Sequence, residues 1–257
     1  MQSTESIRTY YAAKRDAAVL PPYRQNSVFR YIADEGEANN ALRKIQQGKI
    51  GFDTEQCERR GSVPVGPPAT IHHIDWADAI LCVIQLAIPG CVYIVDVKPI
   101  PKELVRILTS RDIWKTGCGL INDVNVLYQE TGLQVQGLID VGMMVKFANA
   151  EKYGEQDSGG LSLEKCVEET FGELLDKNHR YGFKWDEVIT PDELKYAGLD
   201  AQASLELYFP AADALLEKSS KIRTVIHRDW YTFHSLKGKP QQMPVVPERK
   251  ISRVLKL

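Results

Sequence analysis

None of the 257 residues belongs to an uninterrupted apolar run approaching the roughly 18 that a membrane span requires. The opening stretch MQSTESIRTYYAAKRD also lacks the apolar centre of a secretory leader. Together these absences predict an intracellular chain, in nucleus or cytoplasm, with no membrane contact. Cysteine is scarce: Cys57, Cys82, Cys91, Cys118 and Cys166 are odd in number, widely spaced and form no CxxC. That pattern argues against both a disulfide framework and a zinc ribbon, and they read as reduced thiols. His72 and His73 are adjacent and would point apart in an extended chain, so they do not make a zinc site. A net charge of −2 denies the chain the simplest mark of a nucleic-acid protein, an overall basic surface.

What is present is ordinary globular composition, 44% hydrophobic and 26% charged, sufficient for a proper core. The charge is unevenly placed. From Lys218 onward there are ten basic residues against Asp229 and Glu248 alone, which leaves an acidic body joined to a basic tail. An acidic body is expected if part of its acidity is gathered to hold cations; a solvated surface with a sticky tail is the plainer reading.

Val28 to Ala33 is strand-like, and Asp34 after it can cap a helix through Ala41, Leu42 and Ile45. Lys49 to Glu55 reads as a strand with Ile50, Phe52 and Thr54 on one face and Asp53 and Glu55 on the other. The β-branched runs Ala79 to Ile88 and Cys91 to Val97, joined by Pro89-Gly90, predict a hairpin. Further strands are expected at Trp114 to Leu120 and Leu138 to Val141. Helices are expected at 102–108, at 122–130 ending at Gly132, at 142–150, and at 163–171 between Ser162 and Gly172. Thr190-Pro-Asp-Glu193 is a capping-box start for a helix to about Tyr208, on which Tyr196 and Asp200 share a face. The expected architecture is α/β, a mixed five-stranded sheet flanked by helices, with an extension at 1–27, a domain at 28–210 and a basic extension at 211–257.

Cleaving a phosphodiester takes a nucleophilic water, in-line geometry and positive charge on the attacking and leaving oxygens. Two divalent cations about 4 Å apart provide these. Hard cations take oxygen ligands, so the signature is a few carboxylates from different elements without a His and Cys cluster. An isolated Asp-x-Glu on a strand is more often a solvated face. Asp53 and Glu55, however, lie on a strand that reads as central, where unpaired carboxylates are costly.

These residues resemble, motif by motif, the DEDD 3′-to-5′ exonucleases of the ribonuclease H-like fold. Asp53-Thr54-Glu55 is similar to their first motif, Gly117 to Asp123 with Leu127 to the second, and Tyr196-Ala-Gly-Leu-Asp200-Ala201 to the third. Lys195 stands where one subfamily has histidine, whereas a tyrosine four before the last aspartate is present. The resemblance is therefore to the tyrosine branch, that of ribonuclease D and the Werner syndrome exonuclease domain, over residues 28–210. It implies a 3′-to-5′ exonuclease of RNA or DNA that releases nucleoside monophosphates from a single-stranded 3′ end with two Mg²⁺ or Mn²⁺ ions. Asp53 would bridge both ions, Glu55 and Asp200 would complete one site, Asp123 would hold the second ion largely through water, and Tyr196 would position the attacking water. Thr54 and Asn122 in those motifs, with Arg180 and Trp185 in the basic and aromatic stretch Lys177 to Trp185, are the expected substrate contacts.

Two departures stand out. A loop at 56–78 intervenes where the family crosses quickly, with Arg59 and Arg60 placed to clamp a phosphate or simply to be solvated. Lys177 to Trp185 also differs from the usual local pattern. Gln85 in the hairpin could face substrate or be structural, while Asp96 and Asp140 read as caps of turns or helices. The alternative to an enzyme is an adaptor that binds nucleic acid and keeps the fold with little or no turnover. A further alternative is a domain that trims within a larger assembly, docked by its basic tail.

Overall fold

Residues 20–58, 79–154, 159–177 and 185–218 are described by the structure, a computed structural model. At its centre, Gly48–Glu58 (β2) sends Ile50 and Phe52 into one face of a sheet and Asp53 and Glu55 to the other, as strand alternation demands. It pairs antiparallel with Ala79–Ile88 (β3), which turns through Pro89-Gly90 into antiparallel Cys91–Asp96 (β4). On its other side β2 runs parallel to Ile113–Gly117 (β5), and β5 runs parallel to Leu138–Asp140 (β6).

The sheet has six strands rather than five, because Val28–Ile32 (β1) joins its edge parallel to β4, giving the order β1-β4-β3-β2-β5-β6. Val28 and Tyr31 are exposed, and Val28 N donates to Gly90 O at 3.1 Å. Backbone pairing decides that addition, and backbone pairing leaves no trace in a side-chain pattern. β2 also continues past the expected end at Glu55, through a bulge, to Glu58. β5, by contrast, stops at Gly117, short of Leu120.

Glu35–Leu42 (α1), Lys102–Thr109 (α2) and Ile121–Thr131 (α3) cover the face bearing Phe52, Ile84 and Tyr93. Val141–Ala148 (α4), Ala150–Tyr153 (α5), Leu163–Phe171 (α6) and Pro191–Lys218 (α7) lie on the opposite side. The expected caps are present. Asp34 accepts from Glu37 N at 2.7 Å, Ser162 from Lys165 N at 3.3 Å, and Thr190 and Glu193 cap one another reciprocally. Asp140 caps α4 and Asp96 a turn, while Gly132 and Gly172 end α3 and α6.

α7 is the main departure, running past the expected Tyr208 to Lys218 with Pro210 inside it. Buried Ala211, Ala212 and Leu215 continue its packed face beyond the proline, and that packing offsets the missing backbone donor. Among the described residues, no helix is long and apolar enough to cross a membrane. Arg59, Arg60 and Arg180 lie outside the described residues, as does the tail beyond Lys218.

Candidate active site

The site forms where α7 crosses β2, and one glycine permits the crossing. A Cβ built on Gly51 would lie 2.0 Å from the Ala201 carbonyl oxygen and 2.9 Å from the Ala87 Cβ, so any side chain there would hold the helix off the strand. With the helix seated, Asp200 comes down beside Asp53 and Glu55. Carboxylate oxygens of all three lie within 4.8 Å of one another. The elements that supply them are far apart in sequence.

Asp123, in the first turn of α3, stands outside that three-membered group, and its Oδ1 accepts a 2.6 Å hydrogen bond from the Thr54 hydroxyl. Thr54 is buried, and its hydroxyl also accepts from Gln56 Nε2 at 2.9 Å. Its side chain therefore supports an acid instead of facing outward. Asn122, one residue before Asp123, is exposed. Tyr196 lies one turn before Asp200 on α7 and is half-buried, while Lys195 beside it is exposed and turned away.

A cation already sits among these acids. The Lys177 ammonium donates to Asp200 Oδ2, lies 3.4 Å from the Tyr196 hydroxyl and stands 4.5 Å from the centre of the Tyr196 ring. Burial, then Asp123 and Asp200, push the Asp53 carboxyl well above its usual range; burial, then Asp53 and Asp200, do the same to Glu55. Burial raises Asp123 to about 6, against the lowering effect of the Thr54 hydrogen bond. Burial and Asp200 also raise the Tyr196 phenol, keeping it protonated at neutral pH. Lys177 is held charged: burial lowers its pKa, but Asp200, Tyr196 and Asp53 outweigh that. A set of crowded, oxygen-only ligands that has drawn in an ammonium is what a hard divalent cation would fit.

Sequence reasoning included Lys177 in a basic stretch but did not single it out as a partner of the acids. Its separation of 23 residues from Asp200 carries no periodic signal. Gln85 is fully buried, lies directly across from Asp53 in the β2–β3 register, and has both amide atoms without a hydrogen-bond partner among the described residues. It shares the face of Asp53. Trp185 is buried and packs 6.4 Å from the Tyr196 ring, which makes it a wall behind the tyrosine.

A mixed sheet flanked by helices, with carboxylates from its central strand and a crossing helix, places the chain in the α/β class of ribonuclease H-like folds. A sequence model of the 3′-5′ exonuclease family matches residues 29–210, and the chain belongs to that family. It is 33% identical over 113 residues to human "Exonuclease 3'-5' domain-containing protein 2", a match covering 43% of this chain and 18% of the relative, less than a fifth of its length. In structure it is similar to the catalytic core of RRP6 from Trypanosoma brucei (TM-score 0.62, 16% identity, 87% of this chain and 58% of that one). It is also similar to Brucella melitensis NrnC with bound Mg²⁺ (TM-score 0.55, 18% identity, 72% and 83%).

Proposed function

We propose that this chain is a 3′-to-5′ exonuclease of the tyrosine branch, hydrolysing phosphodiester bonds at single-stranded 3′ ends of RNA or DNA with two Mg²⁺ or Mn²⁺ ions and releasing nucleoside monophosphates. The observation that carries the reading is the convergence of Asp53, Glu55 and Asp200 within 4.8 Å, with Tyr196 on the same face of α7 as Asp200. Asp53, Glu55 and Asp200 would hold one ion, and Asp53 with Asp123 the other. Bound there, the ions would supply an activated water and charge stabilisation for the attacking and leaving oxygens. The Mg²⁺ bound by NrnC supports the choice of ion.

The remaining work falls to the protein. Tyr196 keeps its proton, so its hydroxyl orients the water and does not act as a base. Thr54 fixes the rotamer of Asp123 through its hydrogen bond. Lys177 pairs with Asp200 and supplies counter-charge to the acids. Exposed Asn122, together with Arg180, is assigned to the substrate strand, and Trp185 supports Tyr196 from behind.

Asp53→Asn should abolish digestion of a 3′-labelled oligonucleotide while leaving the circular dichroism spectrum intact. Digestion at the wild-type rate by that variant would overturn the mechanism. The pairing of Lys177 with Asp200 favours a second reading, a nucleic-acid-binding adaptor whose acid cluster is closed by its own lysine. Tight oligonucleotide binding with no turnover in Mn²⁺, by a protein that shows no Mn²⁺ binding, would select it.

A further inference from the structure

Cys57 and Cys82 place their sulfur atoms 3.0 Å apart, Cys57 near the end of β2 and Cys82 near the start of β3. A break in the ladder creates this contact. The β2–β3 register steps from Glu55↔Val83 to Gln56↔Leu81, leaving Cys82 as the extra residue of a bulge. Bulges re-aim side chains, and this one turns Cys82 toward Cys57. Cys82 is buried, whereas Cys57 is only half-buried. A disulfide bond is about 2.05 Å long, so closure needs a movement of roughly 1 Å.

The pair adjoins the acids. Cys57 lies two residues beyond Glu55 on the same strand, and alternation sends both to one face. Cys82 packs in the same cluster as Trp185, against which Cys57 and Tyr196 also rest. The geometry points to a reversible disulfide between Cys57 and Cys82, made by a hydroperoxide oxidant, whose closure pulls the Glu55 end of β2 and weakens the cation site. The formation of the bridge stands on the sulfur geometry alone, while its effect on cation binding rests on the function proposed above.

The chemistry balances in two steps. The Cys57 sulfur attacks the peroxide, breaking its O–O bond, and becomes a sulfenic acid as an alcohol or water leaves. The Cys82 sulfur then attacks the Cys57 sulfur, the S–S bond forms and water departs. Two electrons have passed from the thiol pair to the peroxide. A dithiol such as dithiothreitol reverses the change by exchange.

The test treats the full 257-residue chain with hydrogen peroxide, then counts alkylatable thiols and maps the bridge in a non-reduced digest. The thiol count should fall from five to three, with Cys57 joined to Cys82. Mn²⁺ affinity, followed by the resonance of free Mn²⁺, should drop several-fold and recover with dithiothreitol. Cys57→Ser and Cys82→Ala should each remove the response, and either variant suffices if the other misfolds. Persistence of both thiols, or bridging of Cys118 to Cys166 in their place, would overturn the proposal. So would a mapped Cys57–Cys82 bridge that leaves Mn²⁺ affinity unchanged. A mapped bridge in a protein that never binds Mn²⁺ would retain the disulfide and overturn both its effect on the site and the proposed function. Bridge mapping is independent of nuclease activity.

Discussion

Three carboxylates within 4.8 Å repel one another, and among the described residues Lys177 offsets only part of that charge. Replacing Asp53 by asparagine removes an acid whose charged form burial and its acidic neighbours disfavour, at nearly constant shape. The metal-free variant is therefore expected to be more stable than the parent by about 1 kcal/mol, the familiar exchange of function for stability. Thermal unfolding should show a higher midpoint for Asp53→Asn without metal. Adding Mg²⁺ should then raise the midpoint of the parent and leave that of the variant unchanged, because only a ligand that binds the folded state stabilises it. At this scale the sequence was informative: alternation along Lys49 to Glu55 and the spacing of Tyr196 and Asp200 placed each pair on one face. It was less informative about Lys177, whose partner is set by folding, and about the Thr54 hydroxyl, which hydrogen-bonds Asp123.

Between elements, the seat of α7 on β2 is the critical contact. Gly51→Ala would drive a methyl group into the Ala201 carbonyl, adjacent to Asp200, and the helix must lift. Overpacking of this kind costs about 2 kcal/mol. The expected outcome is a lower unfolding midpoint together with loss of Mn²⁺ affinity; a variant destabilised but with unchanged Mn²⁺ binding would show that the seat does not set the site. A second inter-element contact joins α5 to α6: Lys152 donates to both Glu169 oxygens at 2.7 and 2.8 Å, and Lys165 lies 2.9 Å from the same carboxylate. The Lys152 hydrogen bond leads in lowering the Glu169 pKa to about 2, below the roughly 4.3 of an unfolded glutamate. A depressed acid contributes stability above the unfolded value and loses it as the pH falls toward the folded one. Stability should therefore decline between about pH 4 and pH 2, and Glu169→Gln should flatten that decline in acid-unfolding curves.

Taken whole, the molecule joins an acidic body to a basic tail whose first residue, Lys218, is also the last of α7. Burial of Ala211, Ala212 and Leu215 means that a cut after Pro210 would strip packing residues from the core. A cut after Lys218 removes only the nine basic and two acidic residues beyond it and spares that packing. The shortened protein should fold with an unchanged unfolding midpoint and bind single-stranded oligonucleotide with a flatter dependence of log affinity on log salt, since fewer counterions are released. An unchanged slope would mean that the tail does not touch phosphate.

The sequence by itself determined the local elements and which acids share a face. Strand alternation, cap residues and the hairpin turn are local, so the caps at Asp34, Ser162 and Thr190, the hairpin and the paired acids could be read directly. Tertiary structure decided what depends on contacts between distant segments. It added β1 to the sheet through backbone pairing, carried α7 past Pro210 by burying its apolar face, and brought Lys177 to Asp200. It also left the Gln85 amide, opposite Asp53, without a hydrogen-bond partner among the described residues and set Cys57 against Cys82 across a bulge. Local propensity reaches only a few residues along the chain, whereas each of these outcomes joins groups that only the folded core brings together.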